Sequence, residues 1–257
     1  ERFIPGGYRP FQYVGTAGPC GHRPGFGDQD SRAQQRFQRT GKAGERAVAR
    51  LNPRKLPTQN APVLFTPALA GGFIGHAISA LFGGSLYRKT SFLLDSLGRP
   101  VFAPCVNIVD DPFIAQAYAS SPFDNEGVTC QRRAIIEQGV VRGYFLSAYS
   151  ARKLGMQSTG NAGGNHNLLV APTVAGDLAA LAKQMGRGLM VTELMGQGVN
   201  IVNGDYSRGA AGFWVENGEI LYPVEEITIA GNLADMFSTL VAVGNDEDER
   251  SSLKTGS

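Results

Sequence analysis

The sequence of 257 residues contains 42% hydrophobic and 18% charged residues, a balance typical of a globular protein with one large domain or two small ones. Its formal net charge of only +2 excludes a strong electrostatic case for binding nucleic acid or an anionic membrane surface. The sequence contains no run of about 18 apolar residues, so no membrane span is predicted. No leader of charged residues followed by an apolar stretch begins at Glu1.

The first predicted elements come after an N-terminal segment that has neither helical nor strand periodicity of its apolar residues. Residues 1–40 mix Gly, Pro, Arg and Gln and are predicted to be irregular. Apolar residues at helical spacing predict a helix within 42–52, and a short apolar run bounded by prolines predicts a buried strand at 61–67. Helical spacing then returns and predicts one helix over 68–89.

Short strands and turns dominate the middle of the chain. The Gln138–Gly139 pair between two apolar runs is typical of a β-hairpin turn. In order, the sequence predicts a strand at 106–112, a hairpin over 130–150, one helical turn at 150–155, a polar glycine-rich loop at 158–167 and a strand at 167–172.

The clearest helix signal of the chain covers residues 175–188. Asp177 stands near its start, and Gly186 and Gly188 are typical of its end. Residues 189–231 then alternate apolar and polar side chains and are interrupted by Asn-Gly turns. This pattern predicts an antiparallel meander.

The last segments are a predicted helix at 232–244 and a polar tail at 245–257. Helices that are separate from runs of strands favour an α+β fold over a doubly wound sheet. We therefore predict an antiparallel, β-rich domain with a few helices packed on the sheet. No linker divides residues 41–257, which predicts one domain there.

The dispersed histidines do not by themselves form a metal site. His76 lies in the apolar stretch GGFIGHAISALFGG, with no second histidine or glutamate within two turns before it, whereas catalytic zinc needs about three protein ligands. A packed or partner-facing histidine is the favoured interpretation. His166 lies in the glycine-rich loop, as either a surface histidine or part of a ligand or anion site. His22 lies in the irregular head and receives no role.

The three cysteines, Cys20, Cys105 and Cys130, contain no CxxC pair and do not form an even set. This usage favours a reducing compartment, and we predict a cytoplasmic location. Cys105 and Cys130 lie in apolar, strand-like contexts and are predicted to be inert buried thiols. No G-x-S-x-G motif supplies a nucleophilic serine.

Residues 204–220 concentrate the remaining candidate groups. Asp205 and Arg208 are predicted to pair across a turn, and the planar guanidinium of Arg208 suits a carboxylate. Small residues at 209–212 permit close approach of another backbone. The alternatives are a purely structural turn or an exposed strand edge that accepts an extended peptide or a partner chain.

Five stretches together resemble the TldD/PmbA family, and specifically its PmbA branch, which is also called TldE. They are residues 86–98, 123–128 (FDNEGV), 143–164 (GYFLSAYSARKLGMQSTGNAGG), 188–237 and 243–252. The resemblance covers about residues 41–257 and corresponds to the C-terminal domain of such proteins. It implies an N-terminal α/β domain that these 257 residues do not contain, and a final strand beyond residue 257 whose absence leaves a sheet edge unpaired.

The resemblance implies a cytoplasmic metalloprotease of two subunits. Its TldD-type subunit carries H-E-x-x-x-H on a helix and a later cysteine after a Gly-Asn-Asp segment, which together bind zinc. Its TldE-type subunit lacks this metal set. The complex is known for trimming unfolded or leader peptides, including microcin precursors, and for degrading an antitoxin. An older description of the family is modulator of DNA gyrase.

Aligned with the metal helix of the TldD-type subunit, this chain matches one ligand position of three. His76 stands at the second histidine, Gly71 at the first histidine and Gly72 at the glutamate, and no cysteine follows Asn245–Asp246. The resemblance therefore implies a degenerate site with no catalytic or metal-binding residue in this chain and with zinc in the TldD-type partner. The residues predicted to contact peptide or partner are His76, Arg88, Gln197, Asn200, Asp205 and Arg208.

Two other functions remain open from the sequence. The first is an independent zinc hydrolase in which the fold brings His76 and His166 together, with a carboxylate such as Glu193 as the third ligand. The second is a regulatory protein that binds DNA gyrase, as the older family description implies. The sequence alone leaves open whether this chain is itself an enzyme. Direct contact with nucleic acid or membrane is not expected.

Overall fold

The structure is a computed structural model that describes residue 41, residues 43–248 and residues 251–257. A compact unit runs from Ala49 to Ser257. Residues 1–40, with Cys20 and His22, lie outside the described residues. Residues 43–49 are helical, in agreement with the helix predicted within 42–52.

The compact unit contains two sheets and several short helices. Short elements are expected from the many glycines and turn signals of the sequence. In chain order the elements are β1 (Val63–Phe65), α1 (Pro67–Ala80), α2 (Gly83–Tyr87), β2 (Ile108–Asp111), β3 (Arg133–Glu137), β4 (Val140–Val141), α3 (Ala148–Leu154), β5 (Asn167–Val170), α4 (Leu178–Met185), β6 (Gly188–Met195), β7 (Asp205–Glu216), β8 (Glu219–Asn232), α5 (Leu233–Ser238) and β9 (Leu253–Lys254).

The first sheet has four strands in the order β1-β6-β7-β8. Strands β6, β7 and β8 form the antiparallel meander that the alternation predicted, and β1 adds in parallel beside β6. The turn between β7 and β8 is at Asn217 and Gly218, whose φ angles of 54° and 77° suit an Asn-Gly pair. The meander prediction is confirmed.

The second sheet has five strands in the order β4-β3-β2-β5-β9. The predicted hairpin is confirmed as β3 and β4, with Gln138 and Gly139 both at positive φ. β9 pairs in parallel with β5. Residues of the tail that was predicted to be only polar therefore supply an edge strand, and Ser257 is buried.

The main core lies between the sheets and α1. Phe73 of α1 packs against Tyr206 of β7 and Phe237 of α5, with ring centroids 6.1 and 4.8 Å apart. On the opposite face of the four-stranded sheet, α4 forms a smaller apolar cluster with Met190 and Val215. Helices thus cover both faces of this sheet, and α+β is confirmed. None of the described helices is long and apolar enough to cross a bilayer.

The single helix predicted over residues 68–89 is wrong, because the chain leaves the helix at Phe82. Phe82 has extended backbone angles (φ −70°, ψ 136°) and forms a bridge with Phe145. The amide of Gly83 donates to the carbonyl of Phe145, and the amide of Phe145 donates to that of Leu81. This pairing ends α1 and starts α2 as a separate helix.

The helix predicted at 232–244 is correct only in its first half. Helix α5 begins after Asn232, whose side chain accepts a hydrogen bond from the amide of Ala234, and it ends at Ser238. The chain then continues extended, since Val243 exchanges hydrogen bonds with Thr173 through its amide and its carbonyl. This tertiary pairing overrides the helical spacing of the sequence.

Candidate functional site

Helix α1 presents His76 to the four-stranded sheet. Pro67 at its first turn favours helix initiation, and its apolar residues face the core. His76 is half-buried and lies edge-on to the ring of Tyr206, with centroids 6.1 Å apart. Its Nε2 atom is buried and has no hydrogen-bond partner. The expectation of a packed histidine therefore holds for the ring, but one polar atom is left unsatisfied.

His76 lines a small pocket at the end of the sheet. The pocket has a volume of about 180 Å³ and lies between α1 and the segment that joins β6 to β7. The wall of the pocket includes the cation of Arg208, the amide side chain of Gln197 and the apolar side chains of Val199 and Ile201. Gly196 and His76 complete the lining. Three of the predicted contact residues, His76, Gln197 and Arg208, thus share one pocket.

Burial controls the protonation of the groups around this pocket. Burial lowers the pKa of His76, and the positive charge of Arg208 lowers it further. Burial raises the pKa of Tyr206, although the nearby Arg208 acts in the opposite direction. Near pH 7 these shifts favour a neutral imidazole and a neutral phenol beside Arg208.

The predicted ion pair between Asp205 and Arg208 is wrong. Both residues belong to β7 rather than to a turn, and residues three apart on a strand point to opposite faces. Arg208 shares the inner face with Tyr206, while the carboxylate of Asp205 accepts a hydrogen bond from Asn203 at 2.7 Å. The predicted free edge in this segment is also wrong, because β6 and β8 pair with both edges of β7.

The other predicted contact residues lie near the pocket or apart from it. The backbone amide of Asn200 donates a hydrogen bond to the backbone carbonyl of Asp205 at 2.8 Å, so both residues shape the connection that leads into β7. Arg88 follows α2, with its guanidinium 5.4 Å from the ring centroid of Tyr87, and it does not line the pocket. The structure therefore does not bring all six residues together.

His166 is neither a surface histidine nor part of an open loop. It is buried and donates its backbone amide to Asp110 at 2.8 Å, while its Nδ1 lies 3.1 Å from the same carboxylate. Asn161 donates to Asp110 at 3.0 Å and accepts from Arg133 at 2.8 Å. The sequence prediction missed this buried network, whose signal was Asp110 at the end of an apolar strand.

The zinc site of His76, His166 and Glu193 is not found. Glu193 forms an ion pair with Arg50, and His166 is hydrogen-bonded within the Asp110 network. Among residues 43–248 and 251–257, no group of three or more His, Cys, Asp or Glu side chains is arranged to hold a metal ion.

The two described cysteines differ in their surroundings. Cys130 is buried, as predicted, and burial raises the pKa of its thiol, so the reactive thiolate is disfavoured. Cys105 is exposed, which contradicts its predicted burial. Cys105 precedes β2 in a connecting segment, where the apolar sequence context does not produce a strand.

Comparison with known proteins decides the family. The sequence profile of the PmbA/TldA metallopeptidase C-terminal domain matches residues 58–257. The chain belongs to the PmbA/TldD metallopeptidase family. Homologues of the PmbA branch include a metalloprotease PmbA homolog of Haemophilus influenzae, 56% identical over 83% of this chain and 47% of that protein. Metalloprotease PmbA of Escherichia coli O157:H7 is 54% identical over 82% of this chain and 47% of its own length.

Solved structures of PmbA/TldD relatives have the same fold. A crystal structure from Bacteroides thetaiotaomicron, described as a candidate modulator of DNA gyrase, is 33% identical with a TM-score of 0.80, over 84% of this chain and 49% of that one. TldE from Thermococcus kodakarensis is 25% identical with a TM-score of 0.70, over 82% and 52% of the two chains. The chain spans about half the length of the curated relatives it matches.

Two glycines, Gly71 and Gly72, stand at the positions of α1 where the resemblance to the PmbA/TldD family implies a zinc ligand and a base. A side chain at Gly71 would meet Leu253 and Thr255 of the C-terminal segment, with a Cβ 3.7 Å from Leu253, whereas a side chain at Gly72 would meet nothing within 4 Å. Asp246 anchors that segment by accepting hydrogen bonds from the amide and hydroxyl of Ser257, each at 2.9 Å. Of the helix positions that the resemblance relates to zinc ligands, only that of His76 carries a donor side chain, whereas a catalytic zinc ion needs about three protein ligands.

The FDNEGV loop of the family is organised by one carboxylate. Asp124 is buried and accepts backbone hydrogen bonds from Glu126 and Val128 within the loop and from Ala162 across it, each at 2.9 Å. Burial raises the pKa of Asp124, but these three bonds, together with a smaller electrostatic contribution from nearby His166, outweigh it, so its pKa lies below the usual value.

Replacing Asp124 by asparagine is expected to lower the free energy of unfolding at pH 7 by about 2 kcal/mol, because an amide group cannot accept all three bonds. The pKa of Asp124 is lower in the folded than in the unfolded chain. Its contribution is therefore complete above the unfolded value of about 3.9 and is lost as the pH falls through the folded value. Urea unfolding at pH 7 and at pH 3 measures both effects.

The matched control is Asp177→Asn, since Asp177 caps α4 through a bond from the amide of Ala180 and asparagine caps helices equally well. This control is expected to change the free energy of unfolding by less than about 0.5 kcal/mol. A deficit of Asp124→Asn that is equal at both pH values would contradict the role given to the carboxylate charge.

Proposed function

We propose that this chain is the non-catalytic subunit of a TldD-type metallopeptidase complex, where it completes the substrate chamber and helps to admit extended peptide. The observation that carries the proposal is the sequence of α1, which supplies Gly71 and Gly72 where the metal-binding branch has a ligand and a base. Leu253 and Thr255 also pack near Gly71. In this proposal zinc and the general base belong to the TldD-type subunit.

The distribution of relatives supports a system of two subunits. Haemophilus influenzae has a metalloprotease PmbA homolog that is 56% identical to this chain and a metalloprotease TldD homolog that is 26% identical. Buchnera aphidicola of Acyrthosiphon pisum also has both, at 44% and 25% identity. Both branches thus occur in one organism, and this chain is more similar to the PmbA branch.

The proposed substrates are unfolded or leader peptides, including microcin precursors and an antitoxin, and the proposed location is the cytoplasm. An extended peptide is the natural substrate of a chamber because its backbone and side chains are accessible over several residues. The hydrolytic step is assigned to the partner's metal-bound water. This chain supplies the wall of the chamber and contacts along the peptide.

The proposal is tested by measuring zinc content and cleavage of an unstructured peptide for this chain, for a TldD-type subunit of the same organism and for their mixture. We expect no stoichiometric zinc and no cleavage for this chain alone, and cleavage by the mixture well above that of the TldD-type subunit alone. Stoichiometric zinc with cleavage by this chain alone would overturn the proposal, as would failure of the two chains to associate.

A second candidate function is regulation of DNA gyrase. It is favoured by two solved relatives, from Bacteroides thetaiotaomicron and Thermotoga maritima, that are described as candidate modulators of DNA gyrase. The net charge of +2 argues against direct DNA binding, so the contact would be with the gyrase protein. A pull-down that recovers gyrase in the absence of any TldD-type subunit would favour this function over the first.

A further inference from the structure

Arg208 is a half-buried cation without a partner anion. In the part of the chain that the structure describes, no carboxylate forms an ion pair with it, and its Nε atom is buried with no hydrogen-bond partner. Asp205 points to the opposite face of β7, and Glu193 is paired with Arg50. A guanidinium that is partly removed from water is stabilised when an anion compensates its charge.

A neighbour of Arg208 leaves a further polar atom unsatisfied. Nε2 of His76, which lines the same pocket, is buried and has no hydrogen-bond partner. Buried polar atoms without partners are rare in folded proteins, so two on the wall of one pocket require an explanation. The buried phenol of Tyr206 lies beside Arg208 on the same face of β7.

We propose that this pocket binds a carboxylate group of an extended peptide, with Arg208 as the principal contact. A carboxylate matches the fork of a guanidinium, accepts two parallel hydrogen bonds and supplies the missing negative charge. The neutral imidazole of His76 offers no competing negative charge, and the amide of Gln197 is a further donor on the wall.

The size of the pocket favours one side chain or one chain end. Its volume of about 180 Å³ exceeds several times the roughly 30 Å³ share of one liquid water, but it is too small for a folded element. The carboxylate could be that of an Asp or Glu side chain or that of a peptide C-terminus. The inference names a substrate chemistry for the proposed chamber and in that sense rests on the proposed function.

The test uses three peptides with this chain of 257 residues. The first is acetyl-Ala-Gly-Glu-Gly-Ala-amide, which has only a side-chain carboxylate. The second replaces Glu by Gln and has a free C-terminal carboxylate, and the third combines Gln with the amide terminus and has no carboxylate. Isothermal titration measures each dissociation constant. We expect one carboxylate peptide to bind about 10- to 100-fold more tightly than the third, and which one it is identifies the source of the carboxylate.

Three variants connect this preference to Arg208. We expect Arg208→Gln to abolish the preference and Arg208→Lys to reduce it, because lysine keeps the charge but loses the planar fork. The matched control Arg142→Gln removes an exposed arginine that pairs with Glu137 and should leave the preference unchanged. Thermal unfolding verifies that each variant folds. If Arg208→Gln does not fold, the wild-type comparison and Arg208→Lys decide the outcome.

Equal affinity for the three peptides, including no detectable binding of any, would overturn the inference, and so would a preference that survives in Arg208→Gln. Because the titration needs no second subunit, its failure leaves the proposed complex untouched. Conversely, a carboxylate preference in a chain that does not associate with a TldD-type subunit would refute the complex and keep the pocket. If Arg208→Gln blocks association while the peptides bind equally, Arg208 is an interface residue and the inference is wrong.

Discussion

Replacing Asp110 by alanine is expected to lower the free energy of unfolding by about 3–5 kcal/mol. Asp110 is fully buried and compensates the side chain of Arg133, whose Nη2 lies 4.0 Å from it. It also accepts hydrogen bonds from His166 and Asn161. The substitution leaves the buried amide of His166 without an acceptor and the largely buried cation of Arg133 without a counter-charge, which costs more than the loss of the bonds alone. Urea unfolding of the wild type and the variant measures the effect.

A double-mutant cycle separates the charge from the cavity. In Asp110→Ala with Arg133→Met the buried cation is removed, so we expect the double variant to lose less than the sum of the two single variants. The control is Glu137→Ala on the same sheet, because its pair with Arg142 is exposed and should contribute less than about 1 kcal/mol. An Asp110→Ala protein within 1 kcal/mol of the wild type would show that the network adds little stability.

Replacing Gly212 by alanine is expected to lower the free energy of unfolding by about 3 kcal/mol. Gly212 lies in β7, between β6 and β8, and an added Cβ would be only 2.0 Å from the carbonyl oxygen of Met190 and 3.0 Å from Cα of Val191. Both neighbours are backbone atoms of β6 and cannot rotate away. Relief therefore requires separation of two paired strands in the middle of the meander.

The matched control is Gly209→Ala in the same strand. There an added Cβ would meet Met195 at 3.5 Å, an ordinary van der Waals distance, so we expect a change below about 1 kcal/mol. Equal losses for the two variants would indicate that glycine flexibility, rather than the contact with β6, decides the cost. Hydrogen exchange of the β6 and β7 amides would locate the change within the sheet.

The two substitutions concern different parts of the framework, and only Gly212 lies beside the candidate site. Gly212 fixes the distance between β6 and β7, the two strands joined by the segment that contributes Gln197 to the pocket. Asp110, in β2 of the second sheet, fixes His166 and Asn161 of the loop that precedes β5. The site at His76 and Arg208 thus depends on close backbone pairing, whereas His166 has a structural environment of its own.

Local patterns predicted the elements whose signals are short-range. The hairpin at Gln138–Gly139 and the meander after Gly188 were recognised because Asn-Gly and Gln-Gly turns and period-two alternation are properties of neighbouring residues. The start of α4 was recognised for the same reason, since Asp177 accepts a bond from an amide only three residues away. Where the hydrogen-bond partner was distant, as for Phe82 and Val243, the helix predictions ran too far.

For the candidate site, too, some features follow from the local sequence and others from contacts between distant segments. The sequence by itself determined that residues 58–257 are of the PmbA/TldD type and that the helix with His76 has glycine at 71 and 72, where the resemblance implies a histidine ligand and the glutamate base. Residue identity and spacing are sufficient for both statements. Only the tertiary structure decided that Arg208 faces His76 rather than Asp205 and that His166 is buried against Asp110. The face on which a strand residue lies depends on register, and burial depends on packing between segments distant in the chain.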